Sequence, residues 1–461
     1  MIIDRYIPVN LFELVPKLRL AMEPELAALD QRLDDDGLFQ QVKGDLARRY
    51  PNTLAQGRHS TPVAVLLRML VVRRLYHFSY AQTEHFVSDS LLLRQFCRLY
   101  LEPAPDDTTL IRWAALIGPQ TLEQLNQRVV AYSLKVTRGR KLRTDGTVVE
   151  TNIHHPTDSS LLNDGVRVLS RLLQRAKGLL GQEVQEARAM FRDRSRSAKR
   201  LARQIGEATR RRGEAAQVAY QASYQRLLAV AQASLRQGER VQEALAAVGR
   251  GASQGLGSAL DRFLPQVKQA IAQTRRRGLA GEAVPAGEKL LSLFEPHTGI
   301  IRRGKADQPT EFGRKVWLDE VEGGIISRYQ VLAGNPAAER QVEASLAHHQ
   351  RLFGPPPYLF TGDRGSHSAR NERVACEAGV KRVALPQPGA KTAQRQQYEG
   401  QGWFRRALRF RAGVEGRLSV LKRRGYLGRC RDHGEVGFSR WVGWGVLTAN
   451  LSTIARTMAA R

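Results

Sequence analysis

Apolar positions recur at helical spacing through the first part of the chain. Within residues 10–135, three runs carry this periodicity: 61–79, 79–100 and 105–118. Several short helices joined by tight turns are typical of a helix-turn-helix bundle, but any small helical domain gives a similar pattern. We therefore predict an all-α N-terminal domain over residues 1–138.

The pattern changes at residues 139–153, where β-branched residues cluster in a short run that favours a strand. The polar residues 154–165 are predicted as a loop. From there to about residue 290, spaced apolar residues among many Ala, Arg and Gln predict long helices, and Gly and Ser at 250–257 predict hairpins between them. We assign residues 165–288 as a long helical insertion, which is either a solvated spacer or an arm for DNA binding or dimerisation.

Strand and helix patterns alternate in the last third of the chain. The predicted strands are 289–296, 298–304, 315–321, 324–334, 357–365 and 380–387. Predicted helices cover 337–354 and 368–379, and a polar, loop-like stretch at 388–402 precedes a final helix. This order predicts an α/β core over residues 139–164 and 289–461, with a mixed central sheet flanked by helices.

The charge balance indicates which class of molecule the protein binds. The 461 residues include 72 Lys and Arg against 44 Asp and Glu, giving a net charge of +28 and an isoelectric point near 10.7. A field of this size favours polyanions and predicts salt-sensitive binding to nucleic acid. We therefore interpret residues 1–138 as a helix-turn-helix-like, DNA-binding domain. An anionic membrane surface would instead require a basic amphipathic anchor or a lipidation signal.

Sequence features also bear on the cellular compartment. The opening residues, MIIDRYIPVN, have no basic region followed by an apolar core, so we expect no signal peptide. The apolar run at 62–72 is too short and too charged to span a bilayer. The 3 cysteines are scattered without C-x-x-C spacing, which argues against a disulfide framework or a structural zinc site. We expect a cytoplasmic protein without membrane contact.

Three acidic residues occupy positions that suit phosphodiester chemistry. Asp145 lies in the first predicted strand, Asp363 ends the strand that begins at residue 357, and Glu415 lies on the final helix. Two Mg²⁺ ions held roughly 3.5–4 Å apart by shared carboxylates activate the attacking oxygen and stabilise the leaving one. Magnesium prefers such hard oxygen ligands. Each acid taken alone is more simply a helix cap or a salt-bridge partner.

The helix around Glu415 adds a geometric argument. At 100° per residue, Arg411 lies about 40° and Lys422 about 20° from Glu415 around the helix axis. A structural Arg411–Glu415 pair would contribute only about 0.3–0.5 kcal/mol and would leave the alignment of Lys422 unexplained. Gly413 and Gly416 each cost roughly 1 kcal/mol relative to Ala, which indicates close approach by another backbone, for example that of DNA.

Three stretches of the chain resemble a known family. TDGTVVETNIHHPTDSSLL, FTGDRG and RAGVEGRLSVLKRRGYLGRC are similar to the two Asp strands and the Glu helix of bacterial insertion-sequence transposases of the DDE class, ISNCY type. The resemblance covers most of the chain and implies an RNase H-like catalytic domain. It implies further that Asp145, Asp363 and Glu415 are catalytic ligands of Mg²⁺, two ions in number, with Mn²⁺ able to replace it.

The resemblance also implies contacts to DNA. Arg411 and Lys422 match the R-x3-E-x6-K part of a signature in which both cations contact DNA phosphates. Leu408 departs from that signature, which has Tyr at this position. Arg364 is a further candidate for a phosphate contact, with a salt bridge as the alternative, and Trp403 is a candidate for stacking on an unpaired base, with core packing as the alternative.

Three more residues follow the first predicted strand. His154, His155 and Asp158 either line the site or cap the loop. The function implied by the resemblance is a transposase that binds terminal inverted repeats as a homodimer, hydrolyses the element ends and joins the freed 3′-hydroxyl to target DNA. Its expected location is the bacterial nucleoid. Two alternatives remain open: an RNase H-like nuclease or resolvase without strand transfer, and a non-catalytic DNA-binding regulator.

Overall fold

A computed structural model describes residues 3–6, 22–49, 60–133, 137–180, 191–248, 251–302 and 310–460. The chain divides into two units. One, here the core unit, consists of Met1–Thr151 and Gly313–Arg461, and the other, here the insertion unit, consists of Asn152–Phe312. The predicted insertion boundaries at 165 and 288 both lie inside the insertion unit.

Seven helices precede the sheet in the described part of the chain. They are α1 (Pro24–Arg32), α2 (Asp36–Ala47), α3 (Val63–Leu75), α4 (Tyr80–Asp89), α5 (Leu91–Phe96), α6 (Asp107–Leu116) and α7 (Pro119–Ser133). Side chains cap several of them: Ser79 forms a capping box with Gln82, and Asp106 accepts from the backbone N–H of Thr109. The helical prediction for this region is thus confirmed from residue 24 onward, and its start at residue 10 lies outside the described residues.

The sheet of the molecule is mixed. Its strands are β1 (Lys141–Glu150), β2 (Gly299–Arg302), β3 (Thr310–Val321), β4 (Ile325–Val331), β5 (Leu359–Thr361) and β6 (Arg382–Ala384). The strand order is β2-β3-β1-β5-β6, with β4 also paired to β3. The pairs β1–β3 and β3–β4 are antiparallel, and the pairs β1–β5 and β5–β6 are parallel. This confirms a mixed α/β fold, and β1 lies between β3 and β5 in the sheet.

Five helices follow β4 and complete the core unit. They are α12 (Val342–Phe353), α13 (Ala369–Glu377), α14 (Ala393–Gly400), α15 (Gly402–Arg423) and α16 (Gly434–Ala459). The last helix, α16, packs against α1, α3, α7 and β4. At this junction Asn450 donates to Asn126 on α7 and accepts from the backbone N–H of Ile326 on β4. The N-terminal helices and the sheet therefore share one core within the core unit.

The insertion unit is a helical bundle. Between β1 and β2 it contains α8 (Asp158–Leu180), α9 (Ser195–Ala208), α10 (Glu214–Val248) and α11 (Gly251–Thr274). Its core is built mostly from leucines, with Leu169, Leu227 and Leu260 fully buried. Across the whole described part of the molecule, no helix is both long and apolar enough to cross a membrane.

Four predictions of local structure are wrong. Residues 289–296 form no strand, because Leu290 and Leu293 pack into the helical core of the insertion unit instead of a sheet. Residues 158–165 are helical, since Leu161 and Leu162 face the same core.

The other two wrong predictions concern residues 250–257, predicted as a break between helices, and residues 388–402, predicted as a loop. Residues 251–257 belong to α11, where a side chain at Gly255 or Gly257 would meet no neighbour, while residues 249–250 lie outside the described part. Within 388–402, α14 forms because Thr392 caps it and Glu399 binds Lys391 and Arg395.

Candidate active site

Asp145 and Asp363 stand in matching positions on neighbouring parallel strands. The register pairs Arg143 of β1 with Thr361 of β5. Asp145 lies two residues beyond Arg143, and Asp363 lies two residues beyond Thr361, the last residue of β5. Parallel neighbours advance at the same rise per residue and lie about 4.8 Å apart. The register therefore brings the two predicted aspartates to the same edge of the sheet.

The third acid, Glu415, is linked to Asp145 through the side chain of Arg411. Arg411 Nη2 lies 3.4 Å from Asp145 Oδ2, and Arg411 Nη1 lies 3.2 Å from Glu415 Oε1. The Asp145 side chain is 13% exposed, and its Oδ1 accepts from the backbone N–H of Gly146 at 2.7 Å. The Glu415 side chain is 70% exposed. The Arg411 guanidinium thus lies between a half-buried carboxylate, Asp145, and an exposed one, Glu415.

The loop after β5 fixes Asp363. Asp363 begins a 3₁₀ turn, Arg364–Ser366, and its Oδ1 accepts from the hydroxyl of Ser366 at 2.8 Å. Asn371 on α13 donates to the carbonyl of Ser366 at 2.9 Å, which ties the turn to the next helix. One oxygen of Asp363 is therefore oriented by its own turn.

Helix α15 holds Arg411 and Glu415 over the sheet. It packs against β1, β5 and β6. The buried residues on its sheet-facing side are Phe404, Ala407, Val414 and Leu421. Phe410 and Leu418, which the sequence places on the same apolar stripe, are half-buried. The apolar stripe therefore faces the core, and the adjacent polar stripe is left at the edge where Asp145 lies.

A buried ion pair, which sequence reasoning missed, lies beneath this helix. Arg143 donates from Nε and Nη2 to the two oxygens of Glu320 on β3, at 3.0 and 2.7 Å, and from Nη1 to the carbonyl of Phe410. Burial raises the pKa of Glu320, although Arg143 opposes that shift. Because the partners are 177 residues apart, no local pattern indicates this pair.

The same arginine explains one of the helix glycines. A Cβ at Gly413 would lie 2.6 Å from Nη1 of Arg143, so a side chain there would displace the guanidinium. A close neighbour of Gly413 is therefore the Arg143 side chain, and an approach of DNA to this glycine stays a prediction. At Gly416 a Cβ would meet nothing within 4 Å, and the structure offers no reason for this glycine.

The chemistry of these side chains bears on whether the site can hold a divalent metal. The carboxylates of Asp145, Asp363 and Glu415 are ligands of the type that Mg²⁺ prefers. A cationic group, the Arg411 guanidinium, already lies between two of them, and its buried Nε has no hydrogen-bond partner in the described structure. Among the described residues, however, no group of three or more His, Cys, Asp or Glu side chains converges to hold a metal. The site therefore fits a divalent metal in the type of its oxygen ligands, and Glu415 is the most exposed of the three carboxylates.

The remaining predicted DNA contacts, Arg364, Lys422 and Trp403, differ in exposure and in local partners. Arg364 is exposed next to Asp363, and Lys422 lies in the last turn of α15. Trp403 is half-buried, with Tyr398 and Phe404 packed against its ring and the Arg382 guanidinium 5.3 Å from its centroid. Its role in base stacking stays a prediction.

Leu408 and the residues after β1 have local partners. Leu408, where the related signature has Tyr, packs against the apolar cluster of α15, so this position is filled by core packing.

In the insertion unit, Asp164 accepts from His154 at 2.9 Å. Asp158 at the start of α8 binds Arg277 at 3.0 Å and accepts from Gln273 at 2.7 Å. His155 lies edge-on to Phe312.

Comparison with known proteins gives one match. Residues 13–116 match a family model described as a transposase domain (DUF772). No curated protein matches the chain, and no solved structure matches it. The matched range covers α1 to α6 and ends before β1, so it does not include the acidic residues of the sheet. The match shows that residues 13–116 are similar to a transposase domain.

Proposed function

We propose that this protein is a DDE-type DNA transposase with an RNase H-like catalytic domain. The observation that carries the proposal is the register of Asp145 and Asp363 on adjacent parallel strands, together with Arg411, which links Asp145 to Glu415. The transposase-domain match to the N-terminal helices supports the same function independently of these acids. The sheet, with three antiparallel strands followed by two parallel ones, supports the RNase H-like core that the sequence resemblance implies.

In this proposal each polar residue of the site has a defined task. Asp145, Asp363 and Glu415 would hold Mg²⁺, and the bound metal would supply Lewis acidity to the attacking and leaving oxygens. Arg411 compensates the negative charge of Asp145 and Glu415 and has the fork geometry that suits a phosphate. Lys422 and Arg364 offer further cations for the DNA backbone. Water attacks first, and the freed 3′-hydroxyl then attacks the target strand.

The proposal also assigns partners. The net charge of +28 suits a protein that handles duplex DNA, and we assign the N-terminal helices to recognition of the terminal inverted repeats. An element has two ends, and each chain supplies one set of acids, so the active complex is assigned as a homodimer. Such a protein works on DNA in the cytoplasm.

The test is a cleavage and joining assay on DNA that carries the element ends. Asp145→Ala is expected to reduce Mg²⁺-dependent cleavage by at least about a hundredfold, the range reached when transition-state charge loses its stabilising group. Binding of the ends by this variant is expected to stay at the wild-type level. Calorimetric titration with Mn²⁺ gives a second readout and should show weaker binding.

Glu343→Ala is the matched control, because Glu343 is an exposed carboxylate paired with Arg370 on the same unit. Wild-type cleavage by Asp145→Ala would refute the assignment of the site. Cut but unjoined ends from the wild-type protein would indicate a nuclease or resolvase. End binding without metal-dependent cutting would indicate a regulator.

A further inference from the structure

Helix α9 of the insertion unit presents a row of cations on one side. Arg196, Lys199, Arg200 and Arg203 are all exposed, whereas Ala198, Leu201 and Ile205 on the same helix are buried. At 100° per residue the four cations occupy an arc of about 100° that lies opposite the buried residues. We call these four residues the α9 stripe. It is the outer face of a helix whose inner face belongs to the bundle core.

The α9 stripe carries more charge than its surroundings compensate. Residues 191–213 contain nine Lys and Arg against two acids, Asp193 and Glu207. In the described structure, Arg203 pairs with Glu207 at 2.8 Å, and no ion pair holds the other three stripe residues. Three more exposed arginines, 210–212, follow the helix. The stripe is therefore a strongly positive surface whose charges the fold itself leaves available.

The helix dipole does not account for this charge. Cations stabilise the last turn of a helix and acids the first, but α9 has no acid in its first turn and no cation in its last. Burial, and then the charges of Arg192 and Arg236, lower the pKa of the neighbouring Arg194, which indicates a positive potential at this end of the helix. An external anion would relieve that crowding.

We propose that the α9 stripe binds the phosphate backbone of double-stranded DNA without regard to sequence. From Arg196 to Arg203 the stripe is about 10.5 Å long. The phosphates of one DNA strand rise 3.4 Å each along the helix axis while the strand winds around it, so a straight stripe of this length reaches about two to three phosphates. An anionic membrane would require the apolar face of the helix to insert into lipid, and that face is buried in the bundle.

This inference rests on the proposed function only in taking DNA as the ligand, and it requires no cutting. The experiment is therefore binding of the full chain to a duplex of arbitrary sequence in EDTA, measured by fluorescence anisotropy over a series of salt concentrations. Each phosphate contact contributes about −0.9 to the slope of log K against log salt concentration. The variant R196Q/K199Q/R200Q/R203Q is expected to lose about two to three units of slope and at least about tenfold in affinity near physiological salt.

The matched control is R171Q/R175Q/R226Q/K268Q, which removes the same number of exposed cations from α8, α10 and α11. Its slope should change by less than about one unit, because these cations lie on helices other than α9. Equal losses from both variants would overturn the proposal, since the effect would then follow net charge alone.

Two further variants guard against misfolding. R196K/R200K/R203K keeps the charge and is expected to keep the wild-type slope, whereas R200Q alone should lose about one unit. An unchanged slope for R200Q and for the fourfold variant would overturn the proposal. Binding is measured in EDTA, where no metal-dependent cutting occurs, so a failure of the catalytic assignment is distinguishable from a failure of this one.

Discussion

The core unit and the insertion unit use arginine in opposite ways. In the core unit, Arg68 is fully buried against Asp30, and Arg143 is buried against Glu320. In the insertion unit, the α9 stripe is exposed, and its Arg203–Glu207 pair has side chains that are 82% and 49% exposed. Removing one partner of a buried pair leaves an uncompensated charge, whereas an exposed pair is worth little. Arg143 therefore fixes the structure beneath the acids of the core unit, whereas the α9 stripe remains available for a ligand.

The largest loss of stability is expected from breaking the Arg143–Glu320 ion pair beneath α15. Arg143→Met leaves Glu320 buried without its cation, so the free energy of unfolding should fall by about 3–5 kcal/mol. Chemical denaturation followed by circular dichroism measures this change. The double variant R143M/E320M should recover much of the loss, because it removes both charges together.

A matched exposed pair sharpens this test. Arg370→Met removes the partner of Glu343, whose side chains are 71% and 64% exposed, and should change stability by less than about 1 kcal/mol. Equal losses from Arg143→Met and Arg370→Met would show that burial does not separate the two kinds of pair.

The second effect concerns a buried acid on the other face of β3. Asp319 accepts from Ser345 at 2.7 Å and lies 3.5 Å from Arg328. Burial raises its pKa to about 6, against the lowering effects of Arg328 and Ser345. The unfolded carboxyl has a pKa near 3.9, so between about pH 4 and pH 6 the folded protein binds more protons than the unfolded chain. Stability is therefore expected to fall as the pH rises through this window, by about 3 kcal/mol for this group.

The substitution Asp319→Asn removes this titration. The free energy of unfolding of the variant, relative to wild type, should rise by about 2–3 kcal/mol between about pH 4 and pH 7. Unfolding curves at several pH values measure the difference. A difference that does not vary with pH would show that Asp319 is ionised throughout.

The smallest effect on stability is expected on α9. Glu207→Gln removes the partner of Arg203, and stability should change by less than about 0.5 kcal/mol because the pair is exposed. The same change frees a cation of the α9 stripe, so affinity for duplex DNA should rise by a few-fold at low salt. Thermal melting and anisotropy together check the two halves of this prediction. Weaker binding would contradict the role of the stripe.

The sequence predicts the elements whose patterns are local. The strands at 315–321 and 324–334 are confirmed, and so is the helix around Glu415, which is α15, because alternation and helical periodicity are visible within each segment. The helix α16 that follows it is not among the predicted elements. The run at 289–296 fails, because an apolar run looks the same whether it packs on a sheet or on a bundle. The packing of the rest of the chain decides whether such a run forms a strand or joins a helical core.

The candidate site likewise has features that the sequence predicts and features that it does not. The positions of Asp145, Asp363 and Glu415 on two strands and a helix follow from sequence patterns and from the family resemblance. The contact of Arg143 with Glu320, and the need for Gly413, depend on the register between β1 and β3 and on the packing of α15. Such cross-strand relationships leave no trace within a single segment, so sequence reasoning could not reach them.

The chain leaves the core unit and returns to it at almost one point. Glu150 at the end of β1 and Gly313 on β3 are register partners, and Cα atoms of antiparallel partners lie about 4.5–5.5 Å apart. A two-residue turn is enough to connect strands in this relation. The insertion unit is thus a hairpin loop that has grown to the size of a domain, and closing a longer loop adds little entropic cost. An arm attached in this way can be lengthened, shortened or exchanged during evolution while the register that aligns the acids is preserved.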